Sequence, residues 1–227
     1  MSAEPFLSVV IPFFNEEGNA TELVAAEVLK WIRQKREPWF IYVPFHAVHI
    51  PVDAPDEFKK MYDGVRFDDD PAKQDSRLRL GAMVAQTDAK IGQFVAALEE
   101  TGQRKNTLII CTSDNGGKTK GGNPYVGSVS GSPANSDNFP LRGEKGGLYE
   151  GGIRVPAFAN WPGTLAPSKV TAPMHVSDWF PTLAKLTGYQ PAQDLRWDGQ
   201  DTWPAISGRT AAPAPRTIYW RDRKSTR

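Results

Sequence analysis

Between residues 76 and 101 the apolar side chains Leu80, Met83, Val84, Thr87, Ile91, Phe94, Val95 and Leu98 recur at steps of three and four, the spacing of one buried helix face. Gly102 follows as the residue type favoured just past a helix end. Residues 107–112, TLIICT, then read as a fully buried strand that runs into Ser113-Asp114-Asn115-Gly116-Gly117. Upstream, the β-branched and aromatic run LSVVIPFF (7–14) predicts another strand. Asn15-Glu16-Glu17-Gly18 follows as a turn, and a helix is expected over about residues 21–35. WFIYVPF (39–45) is a second buried-strand candidate, and it delivers His46 and His49 to a loop rich in proline and histidine. Downstream, residues 117–140 lack apolar periodicity and predict a long irregular loop. Residues 154–161 predict a strand. Ser177-Asp178 is placed as an N-cap for the helix WFPTLAKLTG, with Pro181 in its first turn and Gly188 past its end. The tail after Trp197 reads as loop and stops at RDRKSTR with no terminal element evident.

Strands alternating with helices imply an α/β fold with a mostly parallel sheet. In such sheets ligands bind beyond the carboxyl ends of the strands, where the His46/His49 loop and the Asp114/Asn115 loop are both expected to fall. Composition agrees with an ordinary globular chain: 227 residues, 40% hydrophobic and 23% charged. Charge offers no footprint for nucleic acid or an anionic membrane, because 27 Lys and Arg face 26 Asp and Glu. The apolar run over residues 6–14 is broken by Ser8 and Pro12 and is too short to span a membrane. No basic segment precedes it, so no signal peptide is expected in the chain as written. The single cysteine, Cys111, excludes an internal disulfide and leaves the compartment open.

Four ordered blocks carry more information. PWFIYVPFHAVHIP (38–51), LIICTSDNGG (108–117), PLRGEKGGLYEGGIRVP (140–156) and HVSDWFPTL (175–183), followed by WDGQDTWP, resemble the arylsulfatase B-like sulfatases over about residues 29–220. The resemblance implies part of an alkaline-phosphatase-like sulfatase sandwich, a mixed and mostly parallel sheet flanked by helices. It also implies sulfuric ester hydrolysis with Ca2+, on a sulfate ester for which a sulfated carbohydrate is a candidate. Members of the family are often secreted, periplasmic or lysosomal, which does not fix the compartment of this chain. A sulfate ester calls for a hard cation and fixed positive side chains around its oxygens, and the departing alkoxide calls for a proton.

By this resemblance Asp114 and Asn115 correspond to a pair of calcium ligands, since carboxylate and amide oxygens suit a hard ion. Read alone, Asp-Asn-Gly-Gly is a turn. His49 corresponds to an active-site histidine that contacts the ester and protonates the leaving oxygen, with His46 the weaker choice. The pair lacks the nearby Cys or Glu of a zinc site. Lys145 corresponds to the sulfate-binding lysine, an ammonium point charge for a tetrahedral anion; the plainer alternative is a solvated lysine beside Glu144. Arg142 reads as a structural partner in the same turn, Glu150-Gly151-Gly152 as the shaper of a hairpin, and His175 and Asp178 as structural.

The chain departs from the family pattern in one place that matters. The family's formylglycine arises within C-x-P-S-R, whereas Cys111 lies in Cys-Thr-Ser-Asp within an apolar strand and reads as a packing residue. Without that nucleophile and the first calcium ligands, the chain is expected to be inactive alone. Residues 7–24 instead resemble the opening of family 2 glycosyltransferases, which suggests a 1–24 fragment joined within residues 22–28 to a truncated sulfatase domain over 25–227. Asp68-Asp69-Asp70 imitates a metal-binding D-x-D but has polar, turn-like flanks and reads as a solvated loop. Two further functions stay open, a glycosyltransferase-like fusion and a non-catalytic binder of calcium or sulfated glycan.

Overall fold

A computed structural model describes residues 6–9, 20–34, 38–119, 136–210 and 215–220. The predicted turn at 15–18, most of the 117–140 loop and the terminal RDRKSTR lie outside these residues, as does part of the strand predicted over 7–14. The chain divides into two compact units, Met1–Thr107 with Thr112–Pro156, and Leu108–Cys111 with Ala157–Arg227.

The first unit opens with β1 (Phe6–Val9), α1 (Ala20–Arg33) and β2 (Trp39–Tyr42). The two strands pair in parallel, Phe6 opposite Trp39 and Val9 opposite Tyr42, so a helix connects two parallel neighbours as the sequence pattern implies. α1 runs unbroken through residues 22–28, where the fragment boundary was expected. Its buried stripe is Thr21, Val24, Ala25, Val28 and Ile32, and it packs on α3 (Pro71–Glu100). Fully burying one such valine or isoleucine contributes roughly 1.5–3 kcal/mol.

The expected helix over 76–101 begins five residues earlier, at Pro71, because proline is pre-set for the first helical turn, where no N–H is needed. Its end agrees with expectation. Gly102 takes φ 77° and the Gln103 N–H reaches back to the Leu98 carbonyl at 2.8 Å, closing the last turn. Of the predicted core positions Met83, Phe94 and Leu98 are buried, while Val84 is half exposed. Instead, the polar Gln86 and Lys90 are buried on this helix. Both meet Glu22 of α1, Gln86 donating at 3.0 Å and Lys90 pairing at 2.5 Å. Periodicity could not show this, since a polar residue on an apolar stripe looks like an interruption until its partner is known.

β2 differs from the fully buried strand expected of it. Trp39 and Ile41 are half-buried, but Phe40 and Tyr42 are exposed, so only alternate residues face the interior. Buried Gln103 fixes its start, accepting from the Trp39 indole at 2.9 Å and donating to the Ile32 carbonyl at 2.8 Å. After β2 the chain loops to α2 (Asp56–Lys60). Val52, Ala54 and Phe58 join Ala82 and Met83 of α3 in a local core, with Ala47 and Ile50 packed against it.

β3 (Ile109–Thr112) pairs with β4 (Ala157–Asn160), following the one-turn α4 (Glu150–Ile153). Both predicted strands exist, though shorter, and β3 is half-buried rather than fully buried. Among the described residues the strands form two separate two-stranded sheets, so β2 and β3 do not share the single sheet edge expected. Four-residue strands that each pair with one neighbour leave a face or edge open, which explains the exposure.

The second unit also holds α5 (Trp179–Thr187) and α6 (Trp203–Ile206). Asp178 does take the N-cap position of α5, though its side chain makes no cap bond there, and a 3-10 turn, Val176–Asp178, itself capped by His175, leads into the helix. The Ser177 N–H donates to the His175 ring, and the Asp178 carboxylate accepts the His175 N–H at 2.7 Å. Asp178 is wholly buried, accepts the Gln200 N–H at 3.0 Å and is clamped by both terminal nitrogens of Arg216. Burial by itself would push its pKa up, but these donors outweigh it and hold the carboxyl below its ordinary value. Asp178 and His175 are therefore structural, as expected, through a partner 38 residues away in sequence.

Candidate active site

Three segments of the first unit carry the candidate residues. The loop after β2 holds His49, anchored on either side by Ala47, Ile50 and Val52 in the α2/α3 core. His49 is exposed, and its Nδ1 lies 2.9 Å from the Ile50 carbonyl oxygen. A carbonyl can only accept, so Nδ1 carries the hydrogen and Nε2 is the position left for proton exchange. The His46 ring stands edge-on to it, centroids 5.4 Å apart. Partial burial and the neighbouring His49 both lower the His46 pKa, favouring its neutral form.

The second segment leaves β3 as Ser113-Asp114-Asn115. Ser113 donates its hydroxyl to the Asn115 carbonyl at 2.9 Å, a local turn that leaves the Asp114 side chain exposed. Among the described residues no hydrogen bond or ion pair engages the Asp114 carboxylate, the Asn115 side-chain amide or the Lys145 ammonium. Cys111, back in β3, is half-buried, and burial pushes its thiol pKa up, consistent with a packing residue.

The third segment is the turn 141–149, which the structure fastens to the second. The Lys145 N–H donates to the Gly117 carbonyl at 3.1 Å and the Gly116 N–H to the Gly152 carbonyl at 3.0 Å. The Gly151 N–H donates to the Arg142 carbonyl at 2.7 Å. Here the glycines are required by close approach: a Cβ on Gly116 would stand 1.8 Å from the Gly151 oxygen, and one on Gly151 would stand 2.2 Å from the Gly143 oxygen. Gly151 and Gly152 thus lie in α4 and its packing, not in the hairpin expected of them. Arg142 stacks over the Tyr149 ring at 3.9 Å, a partner within its own turn as anticipated.

Two organisers escaped the sequence reading. Asn138 accepts the Gly117 N–H at 3.1 Å and donates to the carbonyls of Gly117, at 2.8 Å, and Gly143, at 3.1 Å. Glu144 does not face its neighbour Lys145. Its carboxylate takes Lys118 at 2.6 Å and both the N–H and hydroxyl of Thr119 at 2.7 Å, which together hold its pKa down at about 2. A short-range sequence pattern carries no signal for contacts that span 21 to 26 residues. So the Asp114/Asn115 loop and the Lys145 turn are joined, while among the described residues no hydrogen bond or ion pair links His49 to either. Asp68-Asp69-Asp70 is engaged locally, Asp68 with Arg77 at 3.2 Å and Asp69 with Arg66 at 2.6 Å, as a solvated loop would be.

The sulfatase family model matches residues 4–189. This chain belongs to the sulfatase family. Mouse arylsulfatase J is 35% identical over 182 residues, covering 78% of this chain and 26% of that protein. Rat N-acetylgalactosamine-6-sulfatase is 31% identical over 194 residues, covering 84% and 33%. This sulfatase-family chain therefore spans about a quarter to a third of the length of the curated relatives it matches. The crystal structure of Ps i-CgsB in complex with k-i-k-neocarrahexaose superposes with a TM-score of 0.69 at 30% identity, covering 82% of this chain and 38% of that one. A phosphonate monoester hydrolase from Silicibacter pomeroyi shares the fold alone, with a TM-score of 0.56 at 21% identity over 89% of this chain and 42% of that one. The sulfatase chain thus has the alkaline-phosphatase-like α/β fold expected from its motif blocks. The match begins at residue 4 and takes in residues 7–24, so the glycosyltransferase resemblance expected of that segment is not supported. No helix among the described residues is long and apolar enough to cross a membrane.

Proposed function

We propose that this chain contributes the metal-and-sulfate side of an arylsulfatase-type sulfuric ester hydrolase site. In this reading Asp114 and Asn115 hold a calcium ion, Lys145 pairs with the ester's sulfate oxygens, and His49, with a proton on both ring nitrogens, gives the one on Nε2 to the departing oxygen and keeps the one on Nδ1. The observation that carries the reading is the direct backbone link from Lys145 to Gly117, two residues past Asn115. It is joined by three side chains, on Asp114, Asn115 and Lys145, that no described protein group engages. Oxygens and an ammonium that no described group engages, on joined loops, suit a cation and an anion bound side by side.

The donors fit calcium in kind, being hard oxygens, but two fall short of the six to eight that calcium takes. Among the described residues no group of three or more His, Cys, Asp or Glu could complete such a site. When bound, a divalent cation would draw charge from the sulfate oxygens. This chain's own residues bind the anion, orient it and supply the proton. No segment of the 227 residues reads C-x-P-S-R, and Cys111 is packed in a strand, so the chain alone binds without turning over. A sulfated carbohydrate is the substrate class favoured, on the strength of the N-acetylgalactosamine-6-sulfatase and neocarrahexaose relatives.

Calorimetric titration of calcium into the chain is expected to give weak binding, on the order of millimolar, that disappears in Asp114→Ala. Arylsulfate release is expected to stay at background. Calcium binding unaffected by Asp114→Ala, or arylsulfate release above background by the chain alone, would overturn the reading.

A further inference from the structure

Two turns that bear candidate ligands are held together in part by a residue with no assigned role. Glu144 precedes Lys145 yet points away from it, and its two carboxylate oxygens receive three donors from Lys118 and Thr119. Those residues directly follow Gly117, whose carbonyl accepts the Lys145 N–H. The side chain of Glu144 and the backbone of Lys145 therefore grip the same strand of chain at adjacent points. That strand is the continuation of Asp114-Asn115-Gly116. Asn138 reinforces the grip from the other side, bonding Gly117 and Gly143. Its neighbour Asp137 is tied to Arg77 of α3 at 3.6 Å, which connects the assembly to the helix scaffold.

We propose that Glu144 is a positioning residue: it fixes the separation between the Asp114/Asn115 loop and Lys145, and hence the spacing at which a cation and a sulfate can be bound together. The proposal rests on the sulfatase-site reading for its function. Its physical basis stands apart from it, since a half-buried carboxylate receiving three charge-assisted bonds is held more firmly than a neutral side chain in the same place. Removing it also leaves the Lys118 ammonium, three residues along the chain from Asn115, without this carboxylate, and an uncompensated positive charge opposes cation binding.

The test is hydrogen exchange on the full chain at the Lys145 amide, comparing wild type, Glu144→Ala and Glu144→Gln, combined with calcium titration of each. Glu144→Ala is expected to speed Lys145 exchange about tenfold while α3 amides stay unchanged. Glu144→Gln, which keeps an acceptor for Thr119 but loses the ion pair, is expected to recover part of the protection. It also serves if the alanine variant does not fold. Calcium affinity should fall in the same order. Lys145 exchange as slow in Glu144→Ala as in wild type would overturn the proposal. Wild type that binds no calcium overturns the sulfatase-site reading instead, while the exchange result still decides whether Glu144 sets the spacing.

Discussion

Replacing Arg216 by alanine isolates the energetics of the buried carboxylate in the second unit. Asp178 has no exposed surface, whereas the Arg216 side chain keeps 19% of its own. Stripping one partner from a fully buried pair destabilises by roughly 3–5 kcal/mol, because the remaining charge is left uncompensated. The remaining exposure of Arg216 and the two backbone donors kept from His175 and Gln200 put the expected loss at the lower end, about 3 kcal/mol at pH 7. The pH dependence has a definite sign. In the native chain the Asp178 pKa is lowered, so its contribution is fully present above the unfolded carboxylate value, near 4, and is lost as pH falls through the folded value. Arg216→Ala removes a main cause of the lowering, so the gap between the two proteins should shrink as pH falls below about 4. Tryptophan fluorescence during urea unfolding suits the measurement, because Trp161, Trp179, Trp197, Trp203 and Trp220 lie in this unit and only Trp31 and Trp39 lie in the other. A loss under about 1 kcal/mol at pH 7, or a gap independent of pH, would refute the argument.

Two other substitutions probe the first unit. Gly116→Ala introduces a Cβ that would meet the Gly151 carbonyl at 1.8 Å, so the backbone must separate; a loss of at least about 2 kcal/mol in thermal unfolding and loss of the Lys145 amide protection are expected. Glu22→Ala leaves Lys90, with a side chain only 10% exposed, without its anion and should destabilise by about 2 kcal/mol. Lys90→Met should stay within about 1 kcal/mol of wild type, because an apolar chain of similar length fills the same place between α1 and α3. Equal effects of the two changes would show that the pair contributes packing and not charge.

The elements were legible where local pattern decides them. α1, α3 and the stop at Gly102 follow from helical spacing and from glycine's tolerance of positive φ. The four strands appear where apolar runs occur, but their exposure does not, because a strand's burial depends on what covers its faces. Asp178 shows the limit on the polar side. Ser177-Asp178 before an apolar run reads as a helix cap, and only the return of the chain at Arg216 reveals an ion pair. Glu144 shows it again, since the lysine beside it in sequence is not the lysine beside it in space. Lys145, Asp114, Asn115 and His49 were legible as candidates through ordered motif blocks, which no periodicity would have picked out.

Lys118 and Ser136 are hydrogen-bonded to each other, the Ser136 N–H meeting the Lys118 carbonyl at 3.1 Å, so the chain leaves and returns at one point. A segment whose two ends are clasped can change in length at small energetic penalty, about 0.6 kcal/mol for each doubling. Thr119, just inside the clasp, is itself held by the Glu144 carboxylate, so the described residues at the start of that segment are tied to the turn that carries Lys145. A change of length between Thr119 and Ser136 would therefore have to keep two fixed ends, the clasp itself and the grip of Glu144 on Thr119.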